Sequence, residues 1–238
     1  MIKYKYGDRM KLVGIVERAY YNKDNQKIMQ INEAIRKAFS AYDEVCLIGI
    51  LPTNEKAYVD MKMGEDLITK EDKKKLDYIL NQCDGFIIPG GSSWYQFDEY
   101  IMKHAIEQDK PFLAICAGFQ ALCSMYAVDR KQFDMTSRLN HDRHYGEQHL
   151  YIHQNQILDG TLLKKIVKDS SIPVNSLHHD YVNFKFHSLR ISAISEDGIL
   201  EAVELSNHRF GLGIQWHPEY LMDKNSRKIF DKFIDSIK

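Results

Sequence analysis

The chain has 238 residues, of which 44% are hydrophobic and 27% are charged, so it can bury a substantial core and is not a disordered protein. Its 32 Lys and Arg residues balance 33 Asp and Glu residues, and the formal net charge of −1 argues against a nucleic-acid-binding protein and a polybasic membrane anchor. The first residues contain no apolar stretch of signal-peptide length, and no later stretch could span a bilayer, so we expect a cytoplasmic protein.

The first half of the chain alternates short apolar runs with amphipathic runs of helical length. Hydrophobic periodicity predicts, in chain order, strand Lys11–Val16, helix Gln30–Tyr42, strand Val45–Ile50, helix Thr69–Leu80, strand Gly85–Ile88, helix Trp94–Gln108, strand Pro111–Ile115 and helix Ala117–Val128. Apolar strands separated by helices are typical of a parallel sheet covered on both faces. Binding sites in such sheets lie beyond the carboxyl ends of strands, which here indicates the segments after Ile88 and Ile115.

The second half of the chain is richer in short strands. The predicted strands are His149–His153, Ile172–Ser176, Leu189–Ser195, Ile199–Glu204 and Arg209–Trp216, and a helix over Ser226–Ile237 follows them. Because no linker composition separates the halves, we expect a single α/β domain over residues 1–238. Its central sheet should be mostly parallel, with helices on both faces and a smaller β-rich extension.

The segment PFLAICAGFQ, residues 111–120, carries the sharpest local pattern. An apolar strand runs into Cys116, and a helix begins directly after it, as in a strand–nucleophile–helix elbow. Such a sharp turn requires small neighbours, which Ala114 and Gly118 provide, and the helix N-terminus favours the reactive thiolate. The alternative is a buried core cysteine, which is also our assignment for Cys46, Cys83 and Cys123.

Two further patterns could complete a nucleophilic site. The apolar strand near the C-terminus ends in His217-Pro-Glu219, which would supply the base and the orienting acceptor that a cysteine nucleophile needs. The segment IIPGG ends at Gly91, and a Gly-Gly turn at a strand end can direct backbone N–H groups toward an oxyanion. An ordinary glycine loop is the alternative, while a phosphate loop is disfavoured because no GK[ST] follows.

The order PGG, elbow cysteine and HPE resembles the class I glutamine amidotransferases. The segment VNSLHH, residues 174–179, is similar to the VNSxHHQ motif of their γ-glutamyl-hydrolysing branch, the peptidase C26 family. The resemblance runs from about Lys11 to the C-terminus and implies a flavodoxin-like class I glutamine amidotransferase fold. Ala114, Ala117 and Asp180 stand where the family usually has Gly, Arg and Gln.

The resemblance also implies roles for individual residues. Cys116 would be the nucleophile, His217 the general acid and base, and Glu219 its orienting partner. The N–H groups of Gly91 and Ala117 would form the oxyanion hole. The residues implied on the substrate side are Gly90, Gln120, Ser176 and His178.

Three functions follow as hypotheses. The first is a free-standing hydrolase of a small γ-glutamyl compound, without a cofactor and with a homodimer as its candidate assembly. The second is a glutaminase subunit that delivers ammonia to a separate synthetase. The third is a binding module that has lost catalysis, against which the intact set of Cys116, His217 and Glu219 argues.

Four histidines crowd residues 141–153, at His141, His144, His149 and His153. A metal site is conceivable there. However, His149 and His153 alternate as on one strand face and no second group of ligands is evident, so we predict a surface or substrate-facing segment and no metal.

Overall fold

A computed structural model of the chain describes residues 9–51, 54, 68–128, 135–137, 146–178, 180–182 and 187–238. Its strands are β1 (Lys11–Val16), β2 (Arg18–Tyr21), β3 (Lys27–Gln30), β4 (Val45–Ile50), β5 (Gly85–Ile88), β6 (Phe112–Ile115), β7 (Met135–Ser137), β8 (His153–Ile157), β9 (Ser171–Val174), β10 (Asp180–Val182), β11 (Leu189–Ser195), β12 (Leu200–Leu205) and β13 (Gly211–Ile214). The helices are α1 (Glu33–Ala38), α2 (Lys70–Gln82), α3 (Gln96–Glu107), α4 (Ala117–Met125), α5 (Leu162–Val167), α6 (Pro218–Leu221) and α7 (Lys224–Asp235).

Nine strands form one sheet in the order β4-β1-β5-β6-β13-β12-β11-β8-β9. The strands from β4 to β13 are parallel to their neighbours, and those from β13 to β9 pair antiparallel. The register sets Gly213 beside Ala114 and Ile214 beside Ile115, so a strand of the second half lies against the elbow strand. The predicted α/β class, with a mostly parallel sheet and a β-rich extension, is confirmed.

The strands at the centre of the sheet are apolar throughout because they bury both faces. In β6, Phe112 and Ala114 belong to the core cluster that includes α2, α3 and α4. Leu113 and Ile115 belong to the opposite cluster, which includes α1, α5 and α7. Successive side chains of a strand point to opposite faces, so helices on both sides leave no position for a polar residue.

The prediction of a helix over Gln30–Tyr42 is wrong at both ends, because α1 spans only Glu33–Ala38. Gln30 ends β3, which pairs with β2 in a hairpin that the sequence analysis did not predict. The Asn22 side chain closes its turn by accepting hydrogen bonds from two backbone N–H groups, a local preference of asparagine. Helix α1 begins only after Asn32, whose side chain accepts from the Ala34 N–H at 2.8 Å.

The prediction of a strand over His149–His153 is also wrong, because β8 begins at His153. Its buried positions are Asn155 and Ile157, so one inward residue is polar and the expected apolar alternation is missing. The short helix α5, capped by Thr161, was not predicted either. Most remaining elements agree with the prediction to within a few residues. At α2, for example, Thr69 caps the helix by accepting from the Asp72 N–H at 3.1 Å.

Within the described ranges, no helix has the length and apolar character needed to cross a membrane. The cytoplasmic location stays a prediction.

Candidate active site

Cys116 lies at a strained turn between β6 and α4. Its backbone has φ 50° and ψ −105°, a combination rarely adopted by residues other than glycine. The turn is held by a hydrogen bond of 2.8 Å from the Cys116 N–H to the Ile214 carbonyl. A Cβ at Gly118 would stand 2.2 Å from the Ile88 carbonyl oxygen, so α4 can approach β5 only because residue 118 is glycine.

His217 and Glu219 follow the neighbouring strand β13. Nδ1 of the His217 ring donates to Oε1 of Glu219 at 2.6 Å, and both residues are buried. This contact leaves Nε2 as the ring nitrogen available to another group. Pro218 starts the short helix α6, and Glu219 lies in its first turn.

The Asn175 side chain brackets the backbone of His217. Its Oδ1 accepts from the His217 N–H at 2.9 Å, and its Nδ2 donates to the His217 carbonyl at 3.0 Å. Asn175 is fully buried, just after β9. Asn175 belongs to the VNSLHH motif, which predicted no role for it. Its two hydrogen bonds fix the backbone from which the imidazole extends.

The charges at the site favour an ion pair between thiolate and imidazolium. Burial alone would raise the pKa of the Cys116 thiol, but the charge and hydrogen bond of His217, together with the charge of His178, bring this pKa below its ordinary value. Burial alone would lower the pKa of His217, but Glu219 and the Cys116 thiolate raise it well above its ordinary value. The pair therefore favours the nucleophilic form of the cysteine.

The other described cysteines differ from Cys116. Burial raises the pKa of Cys83 to about 11 and that of Cys123 well above the ordinary thiol value. Cys46 is exposed. The prediction of buried core cysteines agrees with Cys83 and Cys123, but it is wrong for Cys46, which lies exposed on β4, the edge strand of the sheet.

A cavity of about 280 Å³ opens at the carboxyl ends of these strands. Its lining includes Arg18, Gly90, Gly91, Cys116, His217 and Tyr220. Gly90 is packed so tightly that a Cβ there would be 3.2 Å from the Cys116 Cβ. The PGG turn, the elbow and the HPE segment, all predicted from the sequence, thus meet at one cavity.

The remaining predicted site residues lie beside the cavity, not on its lining. Ala117 is buried and opens α4, where the first N–H groups have no acceptor within the helix. Gln120 donates to the Gln215 side chain at 3.2 Å, one turn beyond Cys116. Ser176 is fully buried, and Nε2 of His178 lies 3.5 Å from Oε1 of Glu201.

Two of the crowded histidines, His141 and His144, lie outside the described residues. Nδ1 of His149 contacts the Tyr220 carbonyl at 2.7 Å.

His153 lies instead with His178 and Glu201, and the three offer ligand atoms within 4.8 Å of one another. This donor set could hold a metal ion such as zinc. This group was not predicted from the sequence because its members come from three distant segments.

A buried ion pair between Arg18 and Asp98 was also missed. The Arg18 guanidinium donates to both Asp98 carboxylate oxygens, at 2.8 and 2.7 Å. The two residues are 80 positions apart, so no local pattern links them. The only local signal is an acidic residue in the first turn of α3.

Known proteins are similar to this chain over much of its length. The Peptidase C26 family matches residues 66–219. The γ-glutamyl-γ-aminobutyrate hydrolase of Escherichia coli strain K12 is 32% identical over 187 residues, covering 67% of this chain and 74% of that protein. A CTP synthase of Methanopyrus kandleri is 30% identical over 168 residues, covering 59% of this chain and 31% of that protein.

A solved structure supports the fold. The glutaminase domain of Trypanosoma brucei CTPS with bound acivicin superposes with a TM-score of 0.68 at 18% identity, covering 95% of this chain and 93% of that one. The elbow, the PGG turn and the HPE segment thus occur on a fold shared with glutaminase domains, in a sequence related to hydrolases. The chain belongs to the peptidase C26 family of class I glutamine amidotransferase-like enzymes.

Proposed function

We propose that this enzyme is a cysteine hydrolase that cleaves the γ-glutamyl amide bond of a small γ-glutamyl compound through a thioester. The observation that carries the proposal is Cys116 at a strained turn, on the same cavity lining as His217, whose charge lowers the pKa of the thiol and whose Nδ1 contacts Glu219. Similarity to a γ-glutamyl-γ-aminobutyrate hydrolase supports the γ-glutamyl class of substrate.

The proposed reaction has two halves that share one base. The Cys116 thiolate attacks the γ-carbonyl carbon, and the N–H groups of Gly91 and Ala117 bind the oxyanion of the tetrahedral intermediate. His217 gives its proton to the leaving nitrogen, and an amine or ammonia departs. His217 then takes a proton from water, which attacks the thioester and releases glutamate and the free thiol. Glu219 keeps the imidazole oriented in both halves.

The substrate side is proposed from the residues around Cys116. Gly90 allows the close approach of the PGG turn to the nucleophile. Gln120, Ser176 and His178 are proposed to hold the glutamyl group because they match the substrate-side residues of the family that the sequence resembles. All three are buried, and none lies on the lining of the cavity.

We also propose that residues 1–238 form a single domain. Strand β6 of the first half pairs directly with β13 of the second half, and each half supplies part of the site.

A second candidate function is a glutaminase that delivers ammonia to a separate synthetase. The similarity to CTP synthases favours it. The two functions differ in what the purified chain does alone. A hydrolase should release amine from several γ-glutamyl amides without any partner, whereas a glutaminase subunit should act on glutamine and gain activity when its synthetase is added.

The test is release of ammonia or amine by the purified chain from glutamine and from a panel of γ-glutamyl amides. We expect turnover of at least one γ-glutamyl amide other than glutamine, lost in Cys116→Ala by about 10⁴-fold or more. No release from any γ-glutamyl compound would contradict the proposed function. Cys46→Ala is the matched control, because that cysteine is exposed and away from the cavity.

A further inference from the structure

Arg18 binds the PGG turn as well as Asp98. Its Nε donates to the Gly90 carbonyl at 3.3 Å, and a terminal nitrogen donates to the Pro89 carbonyl. The guanidinium therefore holds two successive carbonyls of the turn while its remaining nitrogen is bound by the carboxylate. A Cβ at Gly91 would stand 3.1 Å from the Arg18 Cδ, so the arginine stem also packs against the turn.

The acceptor Asp98 is itself fixed. Its side chain is fully buried, and its Oδ2 also accepts from the Tyr95 N–H at 3.0 Å, at the start of α3. The Arg18 carbon Cζ lies 5.9 Å from the centre of the Tyr95 ring. The Asp98 carboxylate and the Tyr95 ring thus hold the guanidinium in one orientation. An arginine fixed in this way can bind its other acceptors in only one geometry.

The Gly90 carbonyl and the Gly91 N–H belong to the same planar peptide unit. In a trans peptide the C=O and N–H point in opposite directions, so a carbonyl directed at Arg18 turns the Gly91 N–H away from Arg18. Glycines on both sides of this peptide make its rotation easy, because neither residue restricts φ as a side chain would. To keep the Gly91 N–H in one direction, another group must therefore bind the Gly90 carbonyl.

We propose that Arg18, oriented by Asp98, is a positioning residue for the oxyanion hole. It holds the Gly90–Gly91 peptide so that its N–H faces the oxyanion formed on the carbonyl attacked by Cys116. This inference rests on the proposed cysteine acyl transfer. The alternative is that the ion pair only ties the β2–β3 hairpin to α3, in which case its loss should change stability and leave the chemistry at Cys116 intact.

Two reactions of Cys116 separate these roles. Acylation by p-nitrophenyl acetate passes through a tetrahedral oxyanion, whereas alkylation by iodoacetamide is a direct displacement without one. Both products can be quantified on the peptide that contains Cys116, in the wild type and in Arg18→Met. Arg209→Met is the matched control, because Arg209 also pairs with an aspartate, Asp109, but does not line the cavity.

We expect Arg18→Met to slow acylation by about tenfold or more while alkylation keeps its rate and pH profile, since losing one oxyanion donor costs about 10²–10³ in rate. Arg18→Lys should remain impaired, because an ammonium cannot hold two carbonyls and a carboxylate in the same fork. Arg209→Met should leave both reactions unchanged.

A parallel fall of acylation and alkylation in Arg18→Met, or no change in acylation, would overturn the proposal. If Arg18→Met does not fold, the same pair of rates in Asp98→Asn decides the question, because that substitution keeps the side-chain volume and removes the charge that orients Arg18. Since p-nitrophenyl acetate is not a γ-glutamyl compound, the result stands even if the proposed γ-glutamyl substrate is wrong.

Discussion

The α-carbon of Gly90 lies so close to the His217 ring that a Cβ at residue 90 would stand 2.6 Å from the imidazole Cε1. The PGG turn thus lies close to His217, the proposed base, as well as to Cys116. Any side chain at this position has to displace the imidazole or the turn, so residue 90 couples the two loops that build the cavity.

Gly90→Ala should lower kcat by about 10²-fold, because displacing a catalytic group by about 1 Å can cost that much. Steady-state turnover and a thermal melt check this outcome. Gly49→Ala is the matched control, since the atom nearest to its added Cβ is the flexible Glu17 carboxylate. Full activity in Gly90→Ala would show that the contact with His217 does not constrain the base.

Cys116 should react with iodoacetamide at lower pH than an ordinary thiol. Its pKa is lowered, so the thiolate persists as the pH falls, and the raised pKa of His217 keeps the imidazolium as the pH rises. Peptide mapping at mildly acidic pH should find the label on Cys116 and not on Cys83 or Cys123, whose pKa values are raised by burial. Labelling of Cys116 only at alkaline pH would contradict the ion pair.

Glu219→Gln should reduce kcat by about 10²–10⁴-fold, because an amide no longer stabilises the imidazolium or fixes its tautomer. Loss of the carboxylate also lowers the pKa of His217, so the alkaline limb of the pH–rate profile should move to lower pH. A variant with wild-type rate and an unmoved limb would exclude Glu219 as the orienting group.

Glu204→Gln is the matched control for Glu219→Gln, and we expect it to change stability but not activity. Glu204 is buried and accepts from the Leu162 and Leu163 N–H groups at the start of α5, at 2.7 and 3.2 Å. Replacing the carboxylate should lower the free energy of unfolding by about 1–2 kcal/mol and leave kcat unchanged, because these are charge-assisted hydrogen bonds away from the cavity. Urea unfolding and turnover of the same sample provide both values.

Asn175 provides a graded test of how the imidazole is held. Asn175→Asp can still accept from the His217 N–H but can no longer donate to its carbonyl, while Asn175→Ala loses both bonds. Each lost buried hydrogen bond should cost about 1–3 kcal/mol of stability, and kcat should fall more in the alanine variant. Equal activity in both variants and the wild type would mean that the hydrogen bonds between Asn175 and the His217 backbone do not position the proposed base.

The nucleophilic elbow and the HPE segment could be predicted from the sequence because each is local. Small residues around Cys116 and a histidine two positions before a carboxylate are visible within a few residues. The parallel sheet was predictable for the same reason, since buried strands produce unbroken apolar runs. The structure then brings Cys116 beside His217 through the pairing of β6 with β13.

The residues that hold these groups in place could not be predicted because their partners are distant in the sequence. Asn175 contacts His217 across 42 positions, and Arg18 contacts Asp98 across 80. Each of these side chains, taken alone, is an ordinary polar residue at the end of a strand or in a helix. Strand β8 was misplaced for a related reason, because its buried Asn155 pairs with Glu201 and hides the apolar alternation.

The central claim is that Cys116 forms a γ-glutamyl thioester, and partitioning with hydroxylamine tests it most directly. With a series of γ-glutamyl amides that differ only in the leaving amine, a common thioester must give γ-glutamyl hydroxamate and glutamate in one constant ratio at fixed hydroxylamine concentration. We predict that constant ratio, and no hydroxamate from Cys116→Ala. A ratio that changes with the leaving amine, or turnover without hydroxamate, would contradict the account.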